Sequence, residues 1–126
     1  MKPRWSVVAV VSRGDEILAV ARKFDPKDVN LPGGHDREED LNPPHTLRRV
    51  VLEETGVRVR QYHLMTSWQG DMGQPVYAYF VSTFGGRARS STSGKTLWAK
   101  PAQLVKDGST FQVFNKQLLK TLMRVS

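Results

Sequence analysis

Short apolar runs, each bounded by glycine, proline or charged residues, set the plan of this 126-residue chain. Trp5 to Val11 and Glu16 to Ala21 are aliphatic runs, and Ser12 to Asp15, with Gly14, separates them as a hairpin turn does. The polar segment Phe24 to Asn30, which contains a proline, is read as a connection leading into a turn at Leu31-Pro32-Gly33-Gly34. A helix is predicted to begin at Asn42, a favoured cap, with Pro43 at the first helical position, where its missing N–H costs nothing. Leu47, Val50, Val51 and Leu52 give that helix an apolar stripe, and Gly56 closes it. Val57, Val59, Tyr62, Leu64 and Trp68 mark one extended segment and Val76 to Phe84 another, joined by the Gly- and Pro-containing loop Gln69 to Pro75.

Beyond these, Gly85 to Gly94 reads as a basic, serine-rich loop expected to become ordered on an anion. Thr96 to Ala99 predicts a short strand and Pro101 to Val105 a short helix. Phe111, Phe114, Leu118, Leu119 and Leu122 lie at helical spacing and predict a last helix packed on the sheet. The order of elements is that of an α/β protein, and the length is that of one domain, 1–126.

Composition narrows the chemistry. Cysteine is absent, which removes disulfides, zinc–thiolate sites and cysteine nucleophiles and leaves oxygen as the ligand for any metal. The apolar run Val7 to Val11 is too short for a secretory signal or a membrane span, so a cytoplasmic protein is the expectation. The net charge of +7 is uneven: residues 1–84 hold eleven basic and eleven acidic residues, whereas residues 85–126 hold eight basic residues and only Asp107. A basic field favours anionic partners, whether a nucleotide or a nucleic acid held through its phosphates.

The most informative stretch is Leu31-Pro32-Gly33-Gly34 followed by Arg49-Val50-Val51-Leu52-Glu53-Glu54-Thr55-Gly56-Val57. Residues four apart on a helix lie over one another, which places Arg49 over Glu53 and Val50 over Glu54. This stretch resembles the Nudix box, G-x5-E-x7-R-E-U-x-E-E-x-G-U, with U an aliphatic residue. Aligned from the C-terminal end, Arg49, Val51, Glu53, Glu54, Gly56 and Val57 fill the Arg, U, Glu, Glu, Gly and U positions. Val50 then replaces the Glu after the Arg, and the loop from Gly34 is one residue too long, so that Leu41 falls on the first Glu. Counted forward from Gly34, Asp40 meets that first Glu, but the Glu-Glu pair is broken; the C-terminal register is preferred.

The resemblance implies a Nudix-type α/β/α sandwich with a mixed sheet, hydrolysing a nucleoside diphosphate derivative such as a nucleoside triphosphate, a modified one, or ADP-ribose, with Mg²⁺ or Mn²⁺. Glu53, Glu54 and the carbonyl of Gly33 are then the metal ligands, Arg49 the group that orients Glu53, and Asp40 a substitute acid. The acid that the family often carries before its late strand has no counterpart in Ser90 to Lys95. Arg22, Lys23 and His35 are placed to meet phosphates, and Trp68 and Tyr77 to stack on a base. Two rival readings stay open: a Nudix-fold module that binds a nucleotide or metabolite without cutting it, and an RNA-binding protein using Arg87, Arg89 and Lys95. A homodimer is left open as well.

Overall fold

Alternation of apolar and polar positions makes Ser6–Arg13 (β1) and Glu16–Arg22 (β2) two-faced strands: Val7, Ala9 and Val11 enter one core and Val10 the other. The computed structural model describes residues 2–91 and 94–104, with the side chains of 26 and 27 set aside. β1 and β2 pair antiparallel only at their turn, through Ser12–Ile17 and Arg13–Glu16, and then part. On one side β1 runs parallel to Pro75–Gly85 (β6), which pairs antiparallel with Arg58–Gln69 (β5). On the other, β2 pairs antiparallel with Asp25–Asn30 (β3) and with Gly94–Ala99 (β7). The sheet is therefore mixed, in the order β3-β2-β1-β6-β5 with β7 on β2.

The expected connection Phe24 to Asn30 is in fact largely strand β3. Val29 and the Asp28 side chain are buried, Asp28 holding Arg22 at 3.0 Å and accepting from Asn30 at 2.7 Å. Proline is tolerated there because, among the described residues, β3 pairs with β2 alone and is a sheet edge.

Gly33-Gly34 is likewise a strand rather than a turn. Gly33–His35 (β4) pairs antiparallel with β1, matching Gly33 to Val8 and Gly34 to Val7. The glycines serve close approach. A Cβ on Gly33 would sit 2.8 Å from the Val7 carbonyl oxygen, and one on Gly34 would press to 3.2 Å on Val50 Cγ2.

The main helix, Pro43–Thr55 (α1), follows the expectation closely. Asn42 caps it by accepting the His45 N–H at 2.9 Å, and Gly56 ends it at φ 78° with its N–H on the Leu52 carbonyl. Leu47, Val50 and Val51 are buried against Val7, Ala9, Val11 and Val81. Pro101–Leu104 (α2) is a single turn whose Leu104 is buried in the second core with Val10, Ala19 and Ala99. Among the described residues no helix is long and apolar enough to cross a membrane. The expected last helix, Phe111 to Met123, and Val105 lie outside the described residues.

Candidate active site

Helix α1 brings two carboxylates alongside β4. Glu54, in its last turn, accepts the Gly33 N–H at 2.9 Å, so the helix end and the glycine strand are joined through a carboxylate. Burial pushes the Glu54 carboxyl up to about 6, and the neighbouring Glu53 charge adds to this while the Gly33 N–H opposes it. Thr96 of β7 donates to the Glu54 carbonyl at 3.1 Å and ties the same helix end to the other half of the sheet.

Glu53 is exposed and faces arginine on two sides. Arg37 reaches its two oxygens at 3.0 and 3.3 Å, and Arg49, one turn earlier on the helix, reaches it at 3.4 Å. Arg49 also grips the buried Asp40 at 2.7 and 3.2 Å and donates to the His35 carbonyl at 3.1 Å. Asp40 further accepts the Thr46 hydroxyl at 2.7 Å and the Arg37 N–H at 2.9 Å. The Arg49 guanidinium, with these hydrogen bonds, holds the Asp40 carboxyl far below the usual carboxylate range, against its burial.

A family model for the NUDIX domain matches residues 2–112. The chain belongs to the NUDIX domain family. Among solved structures it is similar to the NUDIX domain of Shewanella oneidensis NrtR complexed with ADP ribose, at 19% identity and TM-score 0.77, covering 100% of this chain and 90% of that one. The MutT protein of Bacillus halodurans gives 19% identity and TM-score 0.75, covering 91% and 81%. The MutT NUDIX hydrolase of Burkholderia pseudomallei gives 21% and 0.71, covering 93% and 98%. At these identities the likeness shows the fold. Comparison with curated protein sequences finds no match.

The Nudix fold reconciles the two registers of the box. Asp40 stands at the first acidic position counted forward from Gly34, Arg49 at the arginine position counted back from Gly56, and the two are bonded. The extra residue is taken up between them, before α1, where Leu41 is 82% exposed. Both Asp40 oxygens are taken up by Arg49, Thr46 and the Arg37 N–H. Val50 is 5% exposed and packs in the core behind Gly34, so the lost glutamate has become a core residue.

The other expected positions scatter. Arg22 is held by Asp28, and Lys23 lies exposed over the Phe24 ring at 5.7 Å. Trp68 and Tyr77 stand on opposite faces of the sheet. Ser67 is the partner of Tyr77 across the ladder, so Trp68 points to the opposite face; Tyr77 packs on the α1 core and Trp68 on the second core. His35 ends β4 two residues after Gly33, with its carbonyl accepting from Arg49 and its ring Nδ1 against the Ser6 hydroxyl. Arg37, Thr46, Ser6 and Gln74, all part of this polar framework, carry no motif and were not among the expected positions; the place of Arg37 three residues after Gly34 is the one signal that could have found it.

Two carboxylates and a strand carbonyl suit one hard divalent ion completed by substrate phosphate and water. Among the described residues no group of three or more His, Cys, Asp or Glu comes together as a metal cluster, consistent with Val50 where the box has the glutamate after its arginine. The donor set fits a single ion, with Glu53 first released from Arg37.

Proposed function

We propose that this single domain, 1–126, is a divalent-metal-dependent pyrophosphohydrolase of nucleoside diphosphate derivatives. The observation that supports this reading best is Glu54, a half-buried carboxylate anchored to the Gly33 N–H, with its carboxyl near 6. Glu53, the Gly33 carbonyl and the Glu54 oxygen that accepts the Gly33 N–H would hold Mg²⁺ or Mn²⁺, which would make water there more acidic and offset charge on the departing phosphate. The chain's own residues do the rest. Gly33 fixes one Glu54 oxygen, leaving the other to take the proton as water attacks phosphorus and the phosphoanhydride oxygen leaves with the bonding pair. Arg49 sets the Glu53 rotamer, and Asp40 and Thr46 set Arg49.

A second reading, a module that binds a nucleotide without cutting it, is favoured by the burial of Val50 and by the grip of Arg37 on Glu53. Metal separates the two. Release of phosphate or nucleoside monophosphate that starts with Mg²⁺ or Mn²⁺ and stops with chelator supports the hydrolase; tight binding without turnover in either metal removes it. Arg37→Ala should free Glu53 and tighten the apparent metal affinity by about two- to fivefold, since an exposed pair of this kind is worth up to about 1 kcal/mol. A metal titration of turnover reads this, and an unchanged or weaker affinity would show that Arg37 does not compete with the ion.

A further inference from the structure

From Thr55 to Lys106 the chain carries seven lysines and arginines and one acid, Asp71. The fold gathers four of these cations at one end of the sheet, where α1 stops, β5 begins and β6 ends. Arg58 pairs with Gly85 across the β5–β6 ladder, and the Arg60 guanidinium lies along Gly85, its Nη2 2.9 Å from where a Cβ would stand. The segment after β6 folds back over the helix end. There the Arg89 N–H donates to the Thr55 carbonyl at 2.7 Å, and the Arg89 side chain lies on Gly56, its Cγ 2.6 Å from the place of a Cβ. A Cβ on Gly86 would stand 3.0 Å from the Gly56 carbonyl oxygen and 3.9 Å from the Arg58 nitrogen, so Arg87 follows directly beside the start of β5.

Arg58, Arg60, Arg87 and Arg89 are all exposed, and among the described residues none of them has a carboxylate partner. By contrast Arg4, Arg13, Arg22, Arg37, Arg49 and Lys100 each hold one. Asp71 gives no relief, since it lies in the loop at the closed end of the β5–β6 hairpin and the arginines stand at the open end. Like charges held this close repel, a cost that an anionic partner offsets.

The arrangement says which kind of anion. The four guanidinium groups are spread along two segments, in pairs two residues apart, which suits a charge repeated along a chain better than one isolated phosphate. Planar guanidinium forks match phosphate oxygens. Val59 packs in the core under α1, so Arg58 and Arg60 on either side of it point to the other face of the sheet, whereas Arg89 lies on the helix end. The pairs therefore flank a corner. A duplex, stiff over about 150 base pairs, meets one pair at a time, while a flexible single strand can pass round to both.

We infer that this corner is a docking surface for single-stranded nucleic acid, held through its phosphates by Arg58, Arg60, Arg87 and Arg89. It is a second site on the domain and does not depend on the hydrolase reading, because it uses neither Glu53, Glu54 nor Gly33.

Fluorescence anisotropy with a labelled oligouridine of about twelve nucleotides tests it, in chelator and between about 50 and 200 mM salt. The oligonucleotide carries a 5′-hydroxyl and so offers no phosphoanhydride to Glu53 and Glu54. With four phosphates engaged, log affinity should fall against log salt with a slope of about −2.8, or about fiftyfold over that range. Arg58→Gln with Arg60→Gln, and separately Arg87→Gln with Arg89→Gln, should each halve the slope and weaken binding by about tenfold at the lower salt. The pairs are read separately, so one that fails to fold leaves the other decisive. Lys2→Gln with Lys100→Gln removes the same net charge elsewhere and should leave the slope unchanged and the affinity within about twofold. Absence of binding at the lower salt, or a control that weakens it as much as an arginine pair, overturns the assignment. Tighter binding, at equal phosphate, of a duplex, of long-chain polyphosphate or of phosphatidylglycerol vesicles overturns it as well.

Discussion

Glu54→Gln should lower turnover by about 10²- to 10⁴-fold, the usual contribution of a positioned proton acceptor, and yet make the protein more stable at neutral pH. The glutamine amide keeps an oxygen for the Gly33 N–H and removes a charge that burial opposes. The sign follows from the direction of the shift. The folded value, about 6, lies above the ordinary 4.5, so the folded protein binds this proton more tightly than the unfolded chain. The group favours folding below the ordinary value, and that advantage disappears as pH rises through about 6. At pH 7 or above the charged carboxylate costs about 1–2 kcal/mol, which Glu54→Gln returns. Chemical denaturation of parent and variant at pH 5 and pH 8 checks this, the gap widening at the higher pH. A variant that loses both activity and stability would make Glu54 a structural residue.

Asp40→Ala should do the reverse and damage the fold first. Its carboxylate is fully buried and compensates an Arg49 side chain that is only 16% exposed, while also holding Thr46 and the Arg37 N–H. Removal strands a half-buried guanidinium, a class of change that costs about 3–5 kcal/mol. Thr46 in turn accepts the Trp5 indole N–H at 2.8 Å, so the loss extends to the first strand. The pH dependence runs opposite to that of Glu54. Asp40 is held far below its ordinary 3.8, so its stabilisation is full above that value and is lost progressively as pH falls from there through the depressed folded value. Denaturant midpoints for parent and Asp40→Ala should differ widely at pH 7 and converge toward acid. A variant as stable as the parent at pH 7 would remove Asp40 from the framework.

The sequence revealed most where local signals and packing agree. Asn42, Pro43 and Gly56 bracketed α1, and the aliphatic runs marked β1, β2 and β6, because capping chemistry and alternation act over a few residues. β3 was missed because a polar edge strand with a proline looks like a loop until Arg22 and Asp28 are seen to pair across it. Gly33-Gly34 was taken for a turn because glycine signals either a turn or a close approach, and only the neighbouring Val7 carbonyl and Val50 decide which.

The same distinction applies to the candidate site. Helical spacing placed Arg49 over Glu53, and the alternative of Val50 as a core residue was readable from the apolar stripe. The Arg49–Asp40 pair was not, since an inserted residue separates them and a one-residue shift of register hides the partner. Ser6 opens β1 and Gln74 immediately precedes β6, its parallel neighbour, so residues 68 apart in sequence meet only in three dimensions.

The central claim is that Glu53 and Glu54 beside the Gly33 strand cleave a phosphoanhydride. A ³¹P NMR time course with Mg²⁺ or Mn²⁺ on nucleoside triphosphates, dinucleoside polyphosphates and ADP-ribose tests it most directly, with folded Glu53→Gln run alongside the parent. The account predicts conversion of phosphoanhydride signals to monophosphate by the parent and their persistence with Glu53→Gln. Persistence with both proteins, or equal conversion by both, would contradict it.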